Sequence, residues 1–208
     1  MKNIFKILAL TTLLLSSGIA MAGGALSWNL SRDMMTGITK NPKGVWSFMQ
    51  TQTLHNSGLY ALLPDYSKFC IWAAQLPNTS RSCWQDLSTG IFAGVETKGA
   101  TRGMPVLHPQ VDRAVLVRWK SPISGTVDIM GRVSHADGSG LGDGVDWFVD
   151  YQSETLLSGS VNSTGNTFFK QSISVVKGRS LYFIIDRGVN NDASADTTYM
   201  DIIITSQQ

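Results

Sequence analysis

Two tryptophans, Trp72 and Trp84, each stand within two residues of a cysteine, Cys70 and Cys83. A bridge between those cysteines would bring the two indoles close together. With Tyr60 and Tyr66 they would then make an aromatic platform. Sugars suit such a surface, because the apolar C–H face of a pyranose packs on a ring face. The same rings would serve equally well as core beside the bridge, since aromatic side chains dominate interiors. At the level of sequence both readings stand.

Cation binding is the second chemistry on offer. Asp137, Asp143 and Asp146 flank a glycine-rich stretch. Ca²⁺ takes roughly six to eight oxygen ligands, and a loop of this composition can fold around it. A structural Ca²⁺ site is therefore a candidate here. A second acidic loop, Asp186 to Asp196 with Asn190, Asn191 and Asp192, would add oxygens. The spacing fits neither an EF-hand nor a calcium-binding nonapeptide repeat. Asp, Asn and Gly are also the ordinary residues of turns. No other cofactor is indicated, for the chain has no P-loop, dinucleotide fingerprint or H-E-x-x-H.

Catalysis finds less support. The two glutamates, Glu96 and Glu154, have no distinctive surroundings, and glycoside hydrolysis needs two carboxyl groups across one bond. The histidines are His55, His108 and His135, and no G-x-S-x-G elbow accompanies them. Arg132, His135 and Asp137 form the densest polar group, which reads as a solvated strand end. The expectation is a protein that is not an enzyme.

The elements that must position these residues come next. Lys2 and Lys6 precede an apolar run, Ile7 to Ala20, and Ala20-Met21-Ala22 has the small-x-small form of a cleavage site. Residues 1–22 thus read as a signal peptide, with a run too short to span a bilayer. No later run is long enough to span, so the expected product is soluble, secreted or periplasmic. Lys2 and Lys6 account for the whole net charge of +2. The remainder is balanced, which argues against nucleic acid as a partner. In an oxidising compartment the isolated pair Cys70 and Cys83 reads as a disulfide.

Short runs of β-branched and aromatic residues recur between Gly, Pro, Asn, Asp and Ser. They predict strands over 45–50, 69–73, 90–96, 114–119, 126–133, 145–151, 167–175, 181–186 and 198–205. Alternation is strong in several. Val145, Trp147, Val149 and Tyr151 oppose Asp146, Phe148 and Asp150, as on a sheet with one wet face. By the same pattern Trp119 and Trp147 are core. Residues 23–40 lack a pattern and read as an N-terminal arm. Residues 51–66 suit a short helix or irregular structure. The remaining 41–208 form one all-β domain, a sandwich or barrel.

Several phrases in this order carry a resemblance: 41–48 (NPKGVWSF), 107–109 (LHP), 117–131 (VRWKSPISGTVDIMG), 142–149 (GDGVDWFV) and 196–198 (DTT). Together they resemble a domain of secreted bacterial proteins, similar to the jelly-roll carbohydrate-binding modules. The resemblance spans about residues 41–204. It implies a two-sheet antiparallel β-sandwich of jelly-roll type with one disulfide, and it brings no catalytic motif. The expected role is non-catalytic binding of a glycan or cell-surface component. The alternatives are a surface protein that binds a protein partner through a sheet edge or loop, and a secreted hydrolase.

Overall fold

The computed structural model of the chain describes residues 24–71, 77–137, 142–162, 164–188, 190 and 192–207. The expected signal peptide and Trp72 lie outside the described residues. The chain begins with strand β1 (Ser27–Asn29), helix α1 (Leu30–Met35), β2 (Trp46–Thr51) and a 3-10 turn (Ser57–Leu59). Short strands follow: β3 (Ala61–Leu62), β4 (Asp65–Ser67), β5 (Cys70–Ile71), β6 (Pro77–Asn78), β7 (Arg81–Asp86), β8 (Ile91–Glu96) and β9 (Pro105–His108). The longer ones close the chain: β10 (Ala114–Lys120), β11 (Gly125–His135), β12 (Val145–Tyr151), β13 (Glu154–Val161), β14 (Asn166–Val175), β15 (Ser180–Asp186) and β16 (Thr198–Ser206).

Two antiparallel sheets face each other. One runs β14-β11-β16-β9-β8-β7-β4, with β1 added to β16; the other runs β13-β12-β15-β10-β2-β3. Strands β9 to β16 are a jelly roll. Four of them lie side by side as β9-β16-β11-β14, and the other four as β10-β15-β12-β13. Strands β8 and β7 extend the first set beyond β9, and β2 extends the second beyond β10.

Strand periodicity builds the core. Val115, Val117 and Trp119 point inward with Leu181, Phe183 and Ile185 from the neighbouring strand. Val127, Ile129 and Val133 meet them from the other sheet, with Ile202 and Ile204. Successive side chains of a strand point to opposite faces, so each run contributes alternate residues to the interior. Trp119 and Trp147 are core, as the alternation predicts.

Three expectations are corrected. The N-terminal arm is built into the fold from residue 27 onward. Strand β1 pairs with β16, Trp28 meets Trp119 edge-on at 5.2 Å, and α1 buries Leu30 and Met34. Asn29 caps the helix by accepting from Arg32 N, and Asp33 accepts from Trp46 Nε1 at 2.9 Å. Strands β1, β3, β4, β6, β7, β9 and β13 lie outside the predicted runs. Asp150 does not face water: it is fully buried. The outer face of the β2/β10/β15/β12 sheet carries a second apolar cluster, in which Met49, Leu116, Tyr182 and Ile184 are covered by Leu54 and Tyr60.

Candidate functional site

Of the expected platform residues, Trp72 lies outside the described residues, and Tyr60 does not share a surface with Tyr66 and Trp84. Tyr66 and Trp84 are brought together across β4 and β7, ring centroids 5.7 Å apart. Both are half-buried against the main core, and Trp84 Nε1 donates to Ile38 O at 2.6 Å. Tyr60 belongs to the other cluster, edge-on to Tyr182 at 4.9 Å. Burial and the nearby Asp150 charge push its hydroxyl well above the ordinary tyrosine range. A ring packed there cannot also present a face to a ligand. Cys70 and Cys83 are bridged, with their Cα atoms 5.5 Å apart, and so tie β5 to β7.

Of the two acidic loops, Asp143, Asp146, Gly188 and Asn190 border one small depression. Asp143 is exposed, and Asp146 accepts from Ser160 Oγ. Among the described residues, no three His, Cys, Asp or Glu side chains gather closely enough to hold a metal ion. Asp196, which ends the second acidic loop, stands apart from the others. It is fully buried, and among the described residues nothing but the Gly144 amide approaches its carboxylate oxygens as a donor. Burial, then the charges of Asp143 and Asp192, raises its carboxyl to about 7, which the Gly144 amide offsets only in part. His135, in the group with Arg132 and Asp137, donates from Nε2 to Ala195 O at 2.8 Å.

The possible catalytic parts are engaged elsewhere. Glu96 is buried, bonded to Arg81 Nε at 2.7 Å and to the Tyr199 hydroxyl at 3.3 Å. His108 is buried and stacked on Phe92, and burial lowers its pKa to about 4. His55 places Nδ1 at 3.0 Å from Asp150 Oδ2 and at 2.8 Å from Thr155 Oγ1. A nucleophile and an orienting carboxylate must sit on opposite ring nitrogens. Here both oxygens address the same one, so the trio is a structural clasp.

The outer face of the eight-stranded sheet is different. In the cross-strand register, Phe168 lies beside Arg132 and Arg132 beside Asp201. Two residues along, Lys170 lies beside Met130 and Met130 beside Ile203. These six residues, with Gly131 and Phe169 below them, line a depression of about 410 Å³. Phe168 is 72% exposed and Met130 51%. Gly131 explains why: a Cβ there would lie 2.1 Å from the Phe169 ring, so Phe169 fills that space from inside. Its neighbour Phe168 must then point out. Two consecutive phenylalanines in an alternating strand cannot both be core, and that was the signal available in the sequence.

No known protein family matches the chain by sequence, and no curated protein matches it either. Solved structures match in part. One is CBM51 from Clostridium perfringens GH95 in complex with methyl-galactose, at TM-score 0.37 and 10% identity, over 51% of this chain and 70% of that one. Another is the C-terminal CBM6 of the laminarinase LamC from Zobellia galactanivorans, at 0.32 and 17%, over 56% and 88%. A third holds the CBM22-1 and GH10 modules of a Clostridium thermocellum xylanase with xylohexaose, at 0.37 and 16%, over 59% and 25%. The jelly-roll assignment rests on this chain's own strand order.

Proposed function

We propose that this chain is a non-catalytic binding module that takes carbohydrate on the outer face of the β14-β11-β16 sheet. The carrying observation is Phe168, a large aromatic ring left 72% exposed on a rigid strand. Around it, Arg132, Lys170 and Asp201 supply donors and an acceptor at fixed strand spacing. An apolar ring face flanked by a few oriented polar groups is what a pyranose requires. Strands hold these groups with little entropy left to lose on binding. The Cys70–Cys83 bridge fits an oxidising compartment, so this reading places the module outside the cytoplasm. Among the described residues no helix is long and apolar enough to cross a membrane.

The test is binding of the purified chain to a broad polysaccharide panel by affinity electrophoresis and calorimetry. Phe168→Ala should weaken binding about ten-fold or more, the value of one well-stacked ring. Silence across the panel, or binding indifferent to Phe168, would sink the proposal. A protein partner is the second reading, favoured by one observation: β14 is the end strand of its sheet, open to strand addition. Pull-downs insensitive to sugars would favour it.

A further inference from the structure

Arg132 sits in the middle of the proposed platform with its donors poorly used. It stands directly across from Asp201 in the β11/β16 register. Opposite charges at such positions ordinarily pair. Here they do not: the ion pairs among the described residues involve neither Arg132 nor Lys170. Asp201 instead accepts from Ser31 Oγ at 2.8 Å, a contact supplied by helix α1. Arg132 Nη2 reaches only Met104 Sδ, at 3.6 Å, and a thioether is a weak acceptor. The next acid along the face, Asp128, is occupied by Ser172 and Gln207.

None of the Arg132 donors is buried without a partner, so the guanidinium is open to solvent and to an incoming acceptor. Its planar fork matches a carboxylate or sulfate through two parallel hydrogen bonds. Lys170 lies one strand over and one inward–outward repeat along, diagonally from Arg132 and directly beside Met130. Both cations therefore border the same depression, against one carboxylate that is already engaged. Phe168, beside Arg132, offers the apolar face for the ring that carries the anion.

Resting on the carbohydrate reading above, we infer that the platform selects an acidic glycan, one bearing a uronate or sulfate group. The sugar ring stacks on Phe168. Its oxyanion takes the Arg132 fork, with Lys170 adding charge and Met130 excluding water alongside.

The experiment measures affinity of the full chain for polygalacturonate and chondroitin sulfate against neutral galactan and xylan, at low and high salt. The expected result is binding to at least one acidic polymer about ten-fold tighter than to the neutral ones, weakening as salt rises. Arg132→Gln should abolish that margin, and Arg132→Lys should restore only part of it, since it keeps charge but loses the fork. Lys170→Gln should cost less. The uronate and sulfate arms tell which anion is read. Binding to neutral polymers with equal affinity, still lost in Phe168→Ala, overturns the acidic preference and leaves the carbohydrate reading standing. Acidic polymers bound equally by Arg132→Gln do the same. No binding in any arm overturns both.

Discussion

Two buried titratable residues at the β9 and β16 ends should impose opposite pH slopes on stability. His108 is held neutral by burial, its pKa lowered from 6.5 to about 4. Between those values the unfolded chain carries a proton that the folded chain lacks, so stability is lost as pH falls through that window. Asp196 works the other way. With its carboxyl raised from 3.8 to about 7, the folded chain holds the extra proton, and stability is lost as pH rises through that range. The wild-type profile should therefore look flatter than either contribution. Urea denaturation across pH 4 to 8 separates them. His108→Gln should lie below wild type at neutral pH and close on it toward pH 4, by on the order of 3 kcal/mol for a shift of this size. Asp196→Asn should gain on wild type as pH rises through 7. Profiles that run parallel to wild type would show that neither group is perturbed by its burial.

The outer face of the β2/β10/β15/β12 sheet shows what an element can require of residues remote in sequence. Leu54, His55 and Tyr60 lie over it, and the aromatic edge of His55 meets Phe148 at 4.9 Å. His55 adopts φ +57°, a left-handed conformation disfavoured for a residue with a Cβ. Its bond to buried Asp150 offsets that cost. His55→Ala should then destabilise by about 3 kcal/mol, because a buried carboxylate loses its partner. The double variant His55→Ala/Asp150→Asn should cost clearly less than the sum of the two single changes in urea denaturation. Simple additivity would mean the two side chains do not act as a pair. This element also marks the limit of sequence reading. Strand β12 was legible to the residue, because Val145, Trp147 and Val149 alternate with Asp146, Phe148 and Asp150. The burial of Asp150 was not, since it depends on a segment whose own pattern is irregular. Strand β7 escaped because Arg81, Ser82, Gln85 and Asp86 break its apolar signal, and β9 because it opens on Pro105.

At the scale of the molecule, the eight-stranded sheet has aromatic residues toward both ends, and among the described residues the ring most open to solvent is Phe168. Strand β7 with Trp84, beside β4 with Tyr66, lies at one edge of the sheet; β14 with Phe168 lies at the other. Sequence spacing drew attention to the first, because the cysteines there promised proximity. Trp72 lies outside the described residues; Trp84 leans on the core and its indole nitrogen bonds to Ile38 O. The second end was harder to see, since its residues meet only through the pairing of β11 with both β14 and β16. The two ends can be told apart by separating stability from affinity. Trp84→Ala removes a packed ring and a hydrogen bond, so it should cost about 3 kcal/mol of stability. Its affinity for a bound polysaccharide should stay within about two-fold, as the site is at the far edge of the sheet. Phe168→Ala removes a ring already in water, so stability should move by no more than about 0.5 kcal/mol while binding falls. Thermal melts and affinity electrophoresis on the same two variants give the comparison. If Trp84→Ala loses binding while Phe168→Ala keeps it, the ligand belongs at the disulfide end of the sheet.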